Sequence, residues 1–497
     1  MITDEVAGSP STTAPELASA NPASAETPPS LPAEMPRETR QSRHLEQALR
    51  FADEDLIEWM RRNPKELLDQ RQACLRLLMK RRCAYGRSGG ALPLMLTPMI
   101  LTRQSVDFIA KATEILDRCI DKAINAYLRD PAVREQIPCL EIPKEWVEWD
   151  PGYPKPTVVS RHDAFFDGKT LKFLEFNTDN PGARVWADTY EEVYRTMPMY
   201  ADLFSHTKRY DRRQMHALLE IFRRYWKDYG GGGTGAPRVA LTSFKEYLPG
   251  SEWEILRDFL IEHGMEANFI DSREFEYRNG KLYSGNVRLD FLHLCLRFVF
   301  FKRFPREHQD FYGAIRDRAV LSINPFRASV GSQKEIMSFL TNPDNHHHFT
   351  EEEVEAIKAH IPWTRRLDET ITISPDGRDI ALIDFVYKNK DRLVLKIASG
   401  AGGQDVHVGK AEEEGQWHDL VDSVSGMSWW IVQEACDVPE FELPVLKDSK
   451  VVLEKKNVNL NPYVFDGKYV GSVCRTSDSK VINVAAGGGI MPVLEAQ

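Results

Sequence analysis

The chain has no run of about 18 apolar residues, the length a helix needs to cross a bilayer, so no membrane span is expected. It has no CxxC pair. Its seven cysteines are scattered without paired spacing, so no disulfide framework is expected, and reduced thiols in a cytoplasmic setting fit better. Basic excess is also missing: 64 Lys and Arg face 74 Asp and Glu, a formal net charge of -10. That balance weighs against a nucleic acid or an anionic membrane as the main partner. The N-terminus lacks the basic-then-apolar pattern of a secretory signal. Residues 1–40 lack large apolar side chains almost entirely and are rich in Ala, Pro, Ser, Thr and Glu. Such a segment cannot offset its ordering entropy by burial and is expected to be a disordered tail.

What remains is long enough for two to three domains. Residues 41–150 read as a helical region. "HLEQALRFADEDLIEWMRR" and "SVDFIAKATEILDRCIDKAINAYLRD" carry apolar residues at three- and four-residue spacing. In residues 151–230 the period changes: "TVVSRHDAFFDGKTLKFLEFN" reads as two strands joined at Asp167-Gly168, followed by the helices "YEEVYRTMPMYADLF" and "QMHALLEIFRRYWKDY". After a Gly-rich linker, residues 231–320 alternate strand and helix as a small α/β unit, with a hairpin at Asn279-Gly280. Residues 321–497 hold strands at "DRLVLKI", "WWIVQEA" and "GKYVGSVCR". The fold class is therefore mixed α/β.

The chemistry-bearing residues lie on these strands. Arg161 and Asp163 are two apart on the first strand of the 159–177 hairpin, and Glu175 and Asn177 are two apart on the second. Residues two apart on a strand share a face, so all four can converge if the turn closes. Two carboxylates and an amide oxygen suit a hard cation such as Mg²⁺, which takes substrate phosphates as further ligands. An adjacent arginine holds phosphate oxygens. A solvated sheet face with an Arg–Asp salt bridge is the alternative, and in the absence of metal the two carboxylates are expected to repel. In "LVLKIASGAGGQDVHVGK" a strand delivers Lys396 to a loop with Gly400, Gly402 and Gly403. Small residues let backbone N–H groups approach phosphates, and a strand lysine can neutralise them. The lysine precedes the glycines, so this is no Walker A loop, and a plain hairpin is the alternative. "WWIVQEACDVP" ends a strand in Gln433-Glu434, placing acceptors for an adenine edge, and Lys334 opens a helix after "NPFRASVGSQ". Arg475 lies on a late strand and could face a phosphate or a carboxylate.

Taken together, "SRHDAFF", "FLEFNTDNP", "INPF…SQKEIMSFL", "IPWTR", "LVLKIASGAGGQDV", "WIVQEA" and "GSVCRTS…INVAAGGG" resemble a circularly permuted ATP-grasp fold, similar to the synthetase domain of glutathionylspermidine synthase. The Glu-x-Asn strand precedes the lysine strand here, the reverse of the ordinary ATP-grasp order. The resemblance covers roughly residues 155–490 and implies nucleotide-binding lobes over 321–497; the helical N-terminal region and the small α/β unit, read here as a substrate-side unit like a pre-ATP-grasp domain, have no close counterpart in it. It implies an ATP- and Mg²⁺-dependent ligase that joins a small-molecule carboxylate and an amine, for example an amino acid, peptide or polyamine, through an acyl phosphate. It assigns Asp163, Glu175 and Asn177 to Mg²⁺, and Arg161 and Arg475 to the reacting groups. Lys334, Lys396 and the loop Ser399, Gly400, Gly402 and Gly403 go to the ATP phosphates, and Gln433 and Glu434 to the adenosine. Departures from the family pattern include Ile397 where proline commonly follows the strand lysine. A kinase that stops at phosphoryl transfer and a non-catalytic nucleotide-binding relative are the competing readings.

Overall fold

Strand β1 (Leu49–Arg50) and helix α1 (Glu54–Arg62) open the described part of the chain. The computed structural model describes residues 48–497 apart from 86–89, 92–93, 139–140, 210–212, 231–234, 248–251, 401–402, 404, 481 and 483–487. The expected tail 1–40 and the core of the Gly-rich linker lie outside the described residues. A continuous helix over 44–62 is not what forms. Leu49 and Phe51 are buried around the half-buried Arg50, a two-residue alternation that suits a strand, and Asp53 caps the helix that follows by accepting from Leu56 N. Strand β2 (Met99–Leu101) pairs with β1. It leads into α2 (Arg103–Arg129), a 27-residue helix capped by Thr102 and stopped before Pro131, whose apolar stripe is buried in the main core.

The hairpin forms as its alternation predicts. Strands β3 (Val159–Phe166) and β4 (Leu171–Asn177) are antiparallel, joined by a turn in which Asp167 Oδ1 accepts from the Lys169 and Thr170 N–H groups. Helix α3 (Arg184–Tyr194) follows. It takes up the start of the expected helix "YEEVYRTMPMYADLF", whose remainder is interrupted, because Pro198 brings no N–H and starts a short 3₁₀ turn. Helix α4 (Arg213–Tyr229) ends this block. Strands β5 (Arg238–Ser243), β6 (Glu266–Asp271), β7 (Phe291–Leu294) and β8 (Leu321–Ile323) then form a parallel sheet in the order β8-β7-β5-β6. Its inner strands β5 and β7 are buried on both faces, as their apolar runs require.

A 3₁₀ segment (Phe326–Ser332) and helix α5 (Glu335–Thr341) lead to β9 (Thr364–Arg366), β10 (Leu393–Ile397), β11 (Val406–Val408) and β12 (Trp430–Glu434). These four pair in the order β9-β12-β10-β11 over their own small core, which includes Trp417 and Leu395. The last strands, β13 (Glu440–Lys447), β14 (Lys450–Phe465), β15 (Lys468–Ser477) and β16 (Gly489–Glu495), complete a large sheet ordered β1-β2-β16-β15-β14-β3-β4, with β13 on the flank of β14. The early hairpin β3–β4 is thus built onto β14 from the far end of the chain, with β4 as the edge strand. All six described cysteines are free, and Cys295 is a buried apolar side chain in the second core.

Candidate functional site

The register of the hairpin sets the site. Arg161 lies opposite Asn177 and Asp163 opposite Glu175, with a bulge just after Asp163. A bulge there raises local twist and re-aims the pair, a common device beside binding sites. Asp163 Oδ1 accepts from Arg161 Nε at 2.8 Å and from Asn177 Nδ2 at 3.2 Å, and its Oδ2 accepts from Arg475 Nη2 at 2.5 Å. Arg475 comes from β15. It is steadied by Asn459 Oδ1 at 3.2 Å and Asn461 Oδ1 at 2.8 Å on the neighbouring β14. Burial alone would push the Asp163 carboxyl up, but the two guanidiniums outweigh it and hold the carboxyl down at about 2. Glu175 has a different counter-ion: Lys334 Nζ lies 3.3 Å from its Oε2 and also donates to the Gly400 carbonyl at 2.6 Å. The expected repulsion between Asp163 and Glu175 is therefore answered on both sides, each carboxylate having its own cation.

The lysine strand approaches from the other side. Lys396 Nζ donates to Gln433 Oε1 at 2.6 Å across the β10–β12 pair, and the same amide donates to Thr364 Oγ1 at 3.0 Å. Burial pulls the Lys396 ammonium down to about 8 despite the Glu175 charge nearby. Glu434 accepts from Arg392 at 3.0 Å.

These groups line two adjoining cavities. The larger, about 380 Å³, is lined by Lys396, Gln433, Glu434 and Cys436 together with Asp163, Glu175, Lys334 and Arg475. The smaller, about 230 Å³, shares Asp163, Glu175, Lys334 and Arg475 with it and adds Arg161, Asn177, Asp179 and Arg297. Of the residues singled out in the sequence, Arg161, Asp163, Glu175, Asn177, Lys334, Lys396, Gly400, Gly403, Gln433, Glu434 and Arg475 all line one cavity or both. Ser399 is half-buried just after β10 and is not among the lining residues; Gly402 lies outside the described residues. Sequence reasoning missed Asp179, Arg297 and the two asparagines behind Arg475. The alternation Asn457-x-Asn459-x-Asn461 on one strand was a readable signal, since three amides on one face need partners. Arg297 carried none.

No group of three His, Cys, Asp or Glu side chains among the described residues is arranged to hold a metal ion. Glu175 and Asn177 nonetheless both line the smaller cavity, and Mg²⁺ needs only one or two carboxylates when phosphates supply the rest. The donor set fits a hard cation carried in on phosphate, with Glu175 and Asn177 free to hold it once Lys334 turns to the phosphate. Asp163 can join only if an arginine leaves its carboxylate.

No family model matches the chain, and no curated protein sequence does. Among solved structures it is similar to a glutathione synthetase-like effector from Globodera pallida in its apo form, with a TM-score of 0.59 at 15% identity over 87% of this chain and 98% of that one. Lesser likenesses are to a protein assigned as a gamma-glutamylcysteine synthetase from Methylobacillus flagellatus KT (TM-score 0.39, 12% identity, 77% of this chain and 88% of that one) and to D-alanyl-alanine synthetase A from Vibrio cholerae O1 biovar eltor (TM-score 0.26, 13% identity, 46% and 68%). The first likeness establishes a shared fold. The second and third are too distant to add to it.

Proposed function

We propose that the chain is an ATP- and Mg²⁺-dependent carboxylate–amine ligase on a circularly permuted ATP-grasp fold. The observation that carries this reading is the convergence of five separate stretches of chain on one pair of cavities: the β3–β4 hairpin, Lys334, the β10 loop, the end of β12, and Arg475 of β15. The permutation is supported by the hairpin's order in the chain, ahead of the lysine strand yet paired with β14. Kinship with glutathionylspermidine synthase in particular rests on the sequence motifs.

In this reading Gln433 and Glu434 receive the adenosine, and Lys396, Lys334 and the loop at Ser399, Gly400 and Gly403 receive the phosphates. Glu175 and Asn177, with Asp163, hold Mg²⁺, which supplies charge neutralisation at the phosphates. Arg161 and Arg475 are held ready on Asp163 and can turn to the transferring phosphoryl group or to the substrate carboxylate. A substrate carboxylate oxygen bonds to the γ-phosphorus as the bond to the β-bridging oxygen breaks. The amine nitrogen then bonds to the acyl carbon, the bond from that carbon to the phosphate oxygen breaks, and the nitrogen's surplus proton leaves with the phosphate. Such chemistry asks mainly for alignment and for cations where negative charge spreads.

The test is ADP release with a panel of amino acids, peptides and polyamines, together with identification of the product. An amide supports the ligase, a phosphorylated acceptor makes it a kinase, and no ADP with any acceptor leaves a binding protein. Lys396→Met should fold normally and lose about 10- to 150-fold in ATP affinity, the equivalent of one charged hydrogen bond. Unchanged affinity by calorimetry would remove the nucleotide from this site.

A further inference from the structure

Asn324 follows β8 and is buried, yet its side chain reaches out of the parallel sheet to the metal-edge hairpin. Its Oδ1 accepts from Val158 N at 3.0 Å and Val159 N at 2.9 Å. Its Nδ2 donates to Val159 O at 2.6 Å, Thr178 O at 2.8 Å and Asp179 O at 3.0 Å. The orientation of the amide is dictated by its partners, because backbone N–H groups only donate and carbonyls only accept. Val158 and Val159 lead into Arg161, and Thr178 and Asp179 directly follow Asn177. One side chain therefore ties the two strands together at the open end of the hairpin, the end where Arg161 and Asn177 face each other. That end has particular need of a tie. Strand β4 is the sheet edge, so its outer backbone groups have no neighbouring strand to hold them.

We infer that Asn324 is a positioning residue that fixes Arg161 and Asn177 relative to each other where Mg²⁺ and phosphate would bind. It touches neither metal nor nucleotide and acts through the backbone on either side of them. The fit is selective. Aspartate keeps the two acceptor contacts but sets a carboxylate against three carbonyl oxygens, and alanine removes all five contacts. Partners one shell away from a metal ligand typically account for about 10- to 100-fold in metal affinity.

The inference rests on the ligase reading, and the experiment separates the two. Binding of a non-hydrolysable ATP analogue is measured by calorimetry with and without Mg²⁺ for the parent chain, Asn324→Asp, Asn324→Ala and Asn345→Ala. Asn345 is a buried asparagine whose amide donates to Gln136 Oε1 and Phe339 O away from the hairpin, so its variant controls for general loss of buried hydrogen bonds. The expected result is a loss of at least ~10-fold in the Mg²⁺-dependent part of the affinity for both Asn324 variants, with Mg²⁺-free binding within ~2-fold of the parent and Asn345→Ala unchanged in both. Folded Asn324 variants with parental Mg²⁺ dependence overturn the inference. So does unfolding of both, which makes the residue purely structural. A parent chain that binds no nucleotide overturns the ligase reading itself.

Discussion

Glu175 joins the two halves of the site, since its carboxylate pairs with Lys334 on one side and faces the Asn177 amide's cavity on the other. Glu175→Gln keeps the shape and removes one negative charge. Turnover is expected to fall at least ~100-fold, the scale of losing one strong electrostatic stabiliser in a transfer step. Without metal the variant leaves the buried Lys334 ammonium short of its counter-ion, so melting temperature should drop slightly, by the equivalent of about 1 kcal/mol. ATP consumption across a Mg²⁺ series, with melting curves of the free protein, checks both; parental turnover, or outright unfolding, makes Glu175 a structural residue. Lys396 gives a pH prediction. Its ammonium is held down at about 8 by burial, whereas an unfolded lysine titrates near ~10.4. Below pH 8 it is charged in both states. Between these values the unfolded chain binds the proton and the folded chain does not, so this group's contribution makes the free protein more stable as pH rises. Phosphate binding needs the charge, so nucleotide affinity should fall as pH rises above about 8. Lys396→Met should flatten both profiles, and an affinity profile in the parent that stays level from pH 7 to 9.5 would show that Lys396 does not meet the nucleotide.

At the scale of elements, the hairpin was legible because it is local. Its two-residue alternation, the Asp167 turn and the facing pairs Arg161–Asn177 and Asp163–Glu175 all follow from one stretch of chain. The bulge after Asp163 was not legible, because nothing in "RHDAFF" distinguishes a bulged from a regular strand. The start of α1 was misread for a related reason: helical and strand periods overlap across "QALRF", and pairing with β2 decides between them. What holds the hairpin in place is also non-local. Gly331, in the 3₁₀ segment before Lys334, packs so closely on the end of β4 that an added Cβ would lie 2.7 Å from Thr178 Oγ1 and 3.0 Å from Ile120 Cγ2. Thr178 cannot easily yield, because its hydroxyl donates to Ala328 O and its N–H donates to Ser332 Oγ at 2.9 Å. Gly331→Ala should cost about 1–3 kcal/mol by overpacking. Because the strain falls on the residue after Asn177, it should also weaken Mg²⁺-dependent nucleotide binding. A variant with parental melting temperature would mean that the segment can slide away from β4.

Over the whole molecule, the site is an assembly of pieces whose separation in the chain hides their proximity. Arg475 and Asp163 are 312 residues apart and form a 2.5 Å ion pair. Single-sequence reasoning picked out both but could bring them together only through the family resemblance, since β14 must first lie between their strands. Arg297 lines the same cavity and bears no local mark of it, while Asp179 and Asn324 sit inside stretches that carry the resemblance but were assigned no role by it. This architecture gives the last prediction. A ligand that bridges β10, the 334 segment and the hairpin stabilises all of them at once, because it binds only when they are together. Mg²⁺ with a non-hydrolysable ATP analogue at 100 times its dissociation constant should add about 2.7 kcal/mol to stability and raise the melting temperature by a few degrees. The gain should be equal in a chain lacking residues 1–40, whose composition offers nothing to bury, and should shrink to about 0.3–1.4 kcal/mol in Lys396→Met at the same ligand concentration, the remainder left by an affinity about 10- to 150-fold weaker. Melting curves on the three proteins decide it. An undiminished shift in Lys396→Met would mean that the nucleotide binds elsewhere, and one that disappears with the tail would make residues 1–40 part of the site.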